Sequence, residues 1–140
     1  MKIEPLPHHL HRDAITLWHA TGLTRPWNDP ETDLRIAMTG PASTVLAGID
    51  NDTLVATTMV GHDGHRGWVY YLAVEPSLQA SGVGRQMMRA CEQWVRARGI
   101  PKLQIMVRDE NQAAIDFYAK LGYTDAKVAV LGLRLDEQTT

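Results

Sequence analysis

The stretch 68–99 constrains the fold of this chain more than any other part of it. It opens with Trp68-Val69-Tyr70-Tyr71-Leu72-Ala73-Val74, a run of β-branched, aromatic and aliphatic residues that predicts a strand. Pro76, inside Glu75-Pro76-Ser77-Leu78, has no N–H for a sheet ladder and ends the pairing. Gln79-Ala80-Ser81-Gly82-Val83-Gly84 comes next. Apolar residues then recur at Val83, Met87, Met88, Cys91, Trp94 and Val95, a helical spacing that predicts a helix over 83–98. Arg96 and Arg98 suit its last turn, Gly99 its stop, and Pro101 lies just beyond.

A strand, a glycine turn and a helix start, in that order, suit an anion. The first N–H groups of a helix have no internal partner, and the helix dipole is positive there. Glycines at 82 and 84 let a phosphate or pyrophosphate approach the backbone closely. The turn is not a Walker A loop, because no Gly-Lys-Ser or Gly-Lys-Thr follows. Nor is it the dinucleotide fingerprint, since Met87 stands where a third glycine belongs. From this stretch alone, a tight turn that binds nothing is equally open.

Composition narrows the function classes. A chain of 140 residues predicts a single domain over 1–140 with a real core. Its net charge of −2 argues against nucleic acid as a partner and is compatible with a cationic substrate. The single cysteine, Cys91, forbids an intrachain disulfide, and its place on the apolar helix face marks it as core rather than nucleophile. Met1-Lys2-Ile3-Glu4-Pro5 has no apolar run of a signal peptide, and no stretch is apolar enough to span a membrane. The expectation is a cytoplasmic protein with no membrane partner. The sequence leaves a homodimer open.

In chain order, 2–5 predicts a short strand and 8–20 a helix, with Leu10, Ala14, Leu17 and Trp18 on one face and Gly22 as stop. His8, His9 and His11 have no carboxylate or cysteine set beside them, which favours a solvated helix start over a metal site. Thr24 to Pro30 is a loop fixed by two prolines, and 31–39 a second short helix. Strands over 44–49 and 54–60 flank the turn Asp50-Asn51-Asp52 and form an antiparallel hairpin. Gly61-His62-Asp63-Gly64-His65-Arg66-Gly67 is a polar connection into the strand 68–74. A strand over 102–107, a helix over 109–121 capped by Asn111 or Asp109, and a final strand over 127–133 complete the chain. The fold class is α+β: a mixed, mostly antiparallel sheet flanked by helices, with one parallel β-α-β crossover over 68–107.

Two motifs carry a family resemblance. The turn pattern Gln/Arg-x-x-Gly-x-Gly/Ala is matched by Gln79, Gly82 and Gly84. The pattern Asn-x-x-Ala-x-x-x-Tyr-x-x-x-Gly-Phe/Tyr is matched by Asn111, Ala114, Tyr118, Gly122 and Tyr123. Together, in a strand–helix–strand–helix context, they resemble the GCN5-related N-acetyltransferases (GNAT). The segments Arg25 to Pro30 and Gly61 to Gly67 further resemble a bacterial subgroup, the YpeA-like proteins.

The resemblance implies acetyl-CoA as co-substrate, no metal, and an amine as acceptor. It implies that the pyrophosphate lies on the backbone of Ala80, Ser81, Gly82, Val83, Gly84 and Arg85, with Gln79 in the motif. The pantetheine arm would lie along Leu72, Ala73 and Val74 like an extra strand, and an N–H of Ala73 or Val74 would hold the developing oxyanion. Asn111 matches a position that contacts the CoA arm, and Tyr118 matches the general acid that serves the leaving thiolate. Many family members place a glutamate on one of two strands as base; neither 68–74 nor 102–107 has an interior carboxylate here. His62 is then the leading candidate base, with Asp63, His65 and Glu75 beside it. Trp27, Asp29 and Tyr70, with Glu31, Asp33 and Tyr71, are the candidates for the acceptor side. The expected activity is acetyl transfer to an amine, directly in a ternary complex; the compact chain favours a small-molecule amine and leaves a protein amine open. The missing strand carboxylate keeps a non-catalytic acetyl-CoA-binding module as the alternative.

Overall fold

A computed structural model describes residues 1–136. Residues 1–106 form one compact unit and the chain from Val107 another. The first unit contains a five-stranded sheet in the order β1 (Lys2–Pro5), β2 (Ser43–Asp50), β3 (Thr53–His62), β4 (Gly67–Val74) and β5 (Leu103–Ile105). All neighbours pair antiparallel except β4 and β5, which are parallel and joined through α3 (Val83–Ala97). The helices α1 (His11–Ala20) and α2 (Pro30–Thr39) precede β2. This is the α+β arrangement with a β-α-β crossover that the periodicity predicts.

The sheet is covered on both faces, and two adjacent threonines show how. Thr57 and Thr58 of β3 are both fully buried. Successive side chains of a strand point to opposite faces. On one face the Trp18 indole N–H of α1 donates to Thr57 Oγ1 at 2.8 Å. On the other the Cys91 thiol of α3 meets Thr58 Oγ1 at 3.4 Å. The first face holds Leu17, Trp18, Leu34, Ala37, Val45 and Ala73 in one cluster. Under α3, Met87, Met88, Cys91 and Val95 are buried. Close approach there depends on glycine: a Cβ on Gly67 would lie 2.8 Å from both Val95 methyls.

The turns follow local chemistry. Asn51 and Asp52 both take left-handed backbone, at φ 49° and 64°, as a two-residue hairpin requires. At the other end of β3 the polar connection is shorter than predicted. Gly61, His62 and Gly67 belong to the strands, and the loop is only residues 63–66. Asp63 closes it by accepting from the N–H groups of His65 (2.8 Å) and Arg66 (2.7 Å).

In the second unit, α4 spans Gln112–Lys120, shorter than the predicted 109–121, and Asn111 rather than Asp109 caps it by accepting from the Ala114 N–H at 3.1 Å. The expected final strand over 127–133 is not formed: these residues have no regular secondary structure. Val128, Val130, Leu131 and Leu133 are exposed there. Their β-propensity is realised only when a neighbouring strand offers a partner, and among the described residues no ladder includes them.

Candidate active site

The site grows from a fault in the β3–β4 ladder. Thr57 pairs with Ala73 and Met59 with Tyr70, so Tyr71 and Leu72 together stand opposite Thr58. One extra residue on a strand is a β-bulge, which bends it and re-aims its side chains. Tyr71 takes a left-handed backbone there, φ 53°, a rare state for a large side chain. Three contacts hold it. Its ring stacks on Trp18 with centroids 4.1 Å apart, its carbonyl accepts from Thr57 Oγ1 at 3.4 Å, and its hydroxyl donates to Asp33 Oδ2 at 2.8 Å. Burial, then the Asp33 carboxylate, pushes the Tyr71 phenol well above its ordinary range. Tyr71 is therefore a fixed hydrogen-bond donor that ties α2 to the bulge.

Beyond the bulge, β4 is open on one side. Its ladder with β5 covers only Gly67, Trp68 and Val69. Leu72, Ala73 and Val74 thus have no strand beside them on that edge, among the described residues. Backbone groups alternate sides along a strand. The Glu75 N–H is directed at Val55 on β3, at 2.8 Å from its carbonyl oxygen. Val74 therefore presents its N–H and carbonyl to the open edge. That carbonyl accepts from Gln79 Nε2 at 3.3 Å, which folds the following turn back against the strand.

The turn leads directly to the helix start. Glu75 is occupied as a local cap, accepting from the Ser77 N–H at 2.8 Å and from the Ser77 hydroxyl. Ala80 (φ 63°) and Gly82 (φ 92°) are both left-handed. Ser81 donates its hydroxyl to the Leu78 carbonyl. Gly82 is the N-cap of α3 and offers no side-chain acceptor, and the first turn contains no acid. The N–H groups of Val83, Gly84 and Arg85 precede the first helical bond, from the Gln86 N–H to the Gly82 carbonyl at 3.1 Å. An uncapped helix start beside left-handed residues is a seat for phosphate oxygens. An open strand edge can pair with amide groups and an uncapped helix N-terminus can take an anion, and one short turn joins the two.

The other predicted residues divide. Asp29 serves as N-cap of α2, accepting from Glu31 N–H (3.1 Å), Thr32 N–H (3.4 Å) and Thr32 Oγ1 (2.7 Å). Those bonds, the Thr32 hydroxyl first, hold its carboxyl below the usual range. Trp27 is 52% exposed and Tyr70 is 44% exposed. His62 lies at the far end of β3, paired with Gly67, five residues from Thr57 and so about 16 Å along the strand from the Ala73 level. Its Nδ1 accepts from the Gly64 N–H at 3.1 Å, and its ring lies 6.0 Å from Trp94. Asp63 and His65 belong to the same hairpin tip. The fold therefore does not bring these three candidates to the open end of β4. Among the described residues, no group of three His, Cys, Asp or Glu side chains gathers as a metal site.

In the second unit, the Tyr118 ring packs edge-on against Phe117 and Tyr123, at 4.9 and 5.8 Å between centroids. Gly122 is left-handed at φ 101°, and the Tyr123 N–H returns to the Tyr118 carbonyl at 3.0 Å. The motif spacing from Asn111 to Tyr123 is thus one capped helix with its C-terminal turn.

Sequence reasoning missed the bulge at Tyr71 and the role of Thr57. A pair of threonines inside the apolar run 54–60 is the one available signal for the second.

Known proteins agree with this architecture. A model of the acetyltransferase (GNAT) family matches residues 12–123. The chain resembles the solved structure of AAC(6')-Iy in complex with the bisubstrate analog CoA-S-monomethyl-acetylneamine, with TM-score 0.82 at 12% identity, covering 95% of this chain and 97% of that one. An aminoglycoside acetyltransferase from an uncultured soil metagenomic sample, in complex with sisomicin, gives TM-score 0.80 at 18% identity, covering 96% of each chain. The aminoglycoside 6'-N-acetyltransferase AAC(6')-IG from Acinetobacter haemolyticus gives 0.78 at 17% identity, covering 97% of this chain and 100% of that one.

Proposed function

The chain belongs to the acetyltransferase (GNAT) family, and on that premise we propose that it transfers the acetyl group of acetyl-CoA to a small cationic amine in a ternary complex. The observation that carries this is the open edge of β4 at 72–74 running through the turn into the uncapped start of α3. In this reading the whole chain works as one domain, in the cytoplasm, and its YpeA-like loops mark the subgroup.

The roles follow from the chemistry. The open backbone of Leu72 to Val74 takes the pantetheine arm as a strand would. Regular alternation from Glu75 favours the Val74 N–H over that of Ala73 as the donor to the oxyanion. Turn residues 79–82 and the N–H groups of Val83, Gly84 and Arg85 receive the pyrophosphate. The amine nitrogen attacks the thioester carbon, and the carbon–sulfur bond breaks. Tyr118 gives its hydroxyl proton to the departing thiolate, which its family motif supports; the attached nitrogen sheds its second proton to solvent as the amide forms, and solvent restores the phenol. An alkyl ammonium of pKa ~10.4 must lose a proton first. Without an interior carboxylate on β4 or β5, and with His62 at the far end of β3, water accepts it. Asp33, held by the Tyr71 hydroxyl, supplies negative charge for the acceptor, with Trp27 and Tyr70 as exposed aromatic candidates. The aminoglycoside acetyltransferases among its structural relatives suggest the class of acceptor, a polycationic small molecule.

Thermal melts with acetyl-CoA, CoA and ATP test the binding half: stabilisation by both CoA species, and not by ATP, is expected. Release of CoA thiol across a panel of small amines and peptides tests the transfer. Tyr118→Phe should slow it with little loss of CoA binding, and an unchanged rate removes Tyr118 from the mechanism. The missing strand carboxylate favours one second reading, a non-catalytic acetyl-CoA-binding module. That reading requires stabilisation without thiol release on any amine.

A further inference from the structure

The backbone of β4 reverses its facing between one end and the other. The Gly67 N–H points away from β3 and donates to the Lys102 carbonyl, just before β5, at 2.8 Å. The Glu75 N–H points the other way and donates to the Val55 carbonyl of β3 at 2.8 Å. Both residues are odd-numbered, and a regular strand would turn them to the same side. The bulge makes the difference. Met59 pairs with Tyr70 but Thr57 with Ala73, so β4 gains one residue over β3 between them. Without the extra residue, the register of Met59 with Tyr70 would set Leu72 opposite Thr57 and turn Ala73 to the open edge. With it, Ala73 faces β3 and Val74 faces the open edge. The backbone state of Tyr71 therefore decides which amide that edge presents.

That state is held by a closed circuit of contacts. The Trp18 indole N–H donates to Thr57 Oγ1 at 2.8 Å, and Thr57 Oγ1 donates to the Tyr71 carbonyl at 3.4 Å. The Tyr71 ring returns to Trp18 and stacks on it, with centroids 4.1 Å apart. A tyrosine at φ 53° persists only where its surroundings over-determine it. Trp18 and Thr57 are fully buried, so water competes for neither bond. Thr57 is the pivot, because its one hydroxyl accepts from α1 and donates to the bulge.

We infer that Thr57 and Trp18 are positioning residues for acetyl transfer: they fix the bulge at Tyr71 and so select the Val74 N–H, rather than that of Ala73, to meet the thioester oxygen. Both act through Tyr71. The kinetic consequence rests on the acetyl-transfer reading; the choice of amide does not.

Residue-resolved hydrogen exchange on the full chain tests the choice of amide. In the wild type the Ala73 amide should exchange at least roughly 100-fold more slowly than the Val74 amide. In Thr57→Val that difference should shrink or reverse, and Thr57→Ser, which keeps the hydroxyl, should preserve it. Kinetics below the melting range of every variant test the consequence. Thr57→Val should lower kcat by roughly 100-fold, the scale for loss of one oxyanion donor, with KM for acetyl-CoA nearly unchanged. Thr57→Ser should restore kcat. Trp18→Phe keeps a ring against Tyr71 and drops the N–H, so kcat should fall less. Wild-type exchange at both amides in Thr57→Val would overturn the inference. So would lost stability with kcat unchanged, or equal protection of Ala73 and Val74 in the wild type. If the wild type acetylates no amine, the transfer reading fails and exchange still decides the choice of amide. If Thr57→Val does not fold, Trp18→Phe carries the same two readouts, and wild-type values in both would overturn the inference.

Discussion

Replacing Thr57 and Thr58 in turn by valine tests whether the two buried threonines do different work. The substitution keeps shape and removes only the hydroxyl. Both residues are 0% exposed, so solvent cannot compensate in either case. At Thr57 the Trp18 indole N–H loses its acceptor at 2.8 Å. A buried donor left without a partner costs about 1–3 kcal/mol. The long 3.4 Å bond to the Tyr71 carbonyl is lost as well. Exchanging a hydroxyl for a methyl returns about 0.8 kcal/mol on the buried-methylene scale. Thr57→Val should therefore destabilise the protein by about 1–2 kcal/mol. For a chain of this size, that lowers Tm by roughly 3–10 °C. At Thr58 the partner is the Cys91 thiol at 3.4 Å, a weak donor. The methyl gain nearly offsets its loss, and Thr58→Val should stay within about 0.5 kcal/mol of wild type. Urea melts read with a common slope give both values. Equal destabilisation by the two variants, or a larger effect at Thr58, would refute this account of the two faces.

Two further outcomes follow from the same geometry. Tyr71→Phe and Asp33→Asn should each raise KM for a cationic amine by up to roughly tenfold, about 1.4 kcal/mol, while acetyl-CoA stabilisation and kcat hold; unchanged KM in both would move the acceptor away from α2. Burial pushes the Cys91 thiol from 9.0 up to about 12, so the folded chain keeps a proton that the unfolded chain has lost. Stability from this group is complete below pH 9.0 and falls as pH rises towards about 12. The stability gap between wild type and Cys91→Ala should narrow over that range, and a constant gap would contradict the burial.

What the sequence determined by itself was local. The strand 68–74, the glycine turn, the helix after it and the Asn111 cap are each set by neighbours within about a helical turn, through periodicity, proline, glycine and cap chemistry. Hence the parallel crossover and the glycine turn into a helix start could be read without coordinates. What the tertiary structure decided was non-local. The bulge at Tyr71 exists because Trp18, Thr57 and Asp33 converge on it from three other elements, and no spacing along the chain encodes that convergence. The open side of Leu72 to Val74 depends on where the β5 ladder stops, at Val69. The same rule removed two expectations. His62 has the right intrinsic chemistry, but strand register sets it at the other end of β3. Segment 127–133 has strand composition, but a strand exists only where it joins a ladder, and among the described residues no ladder includes it.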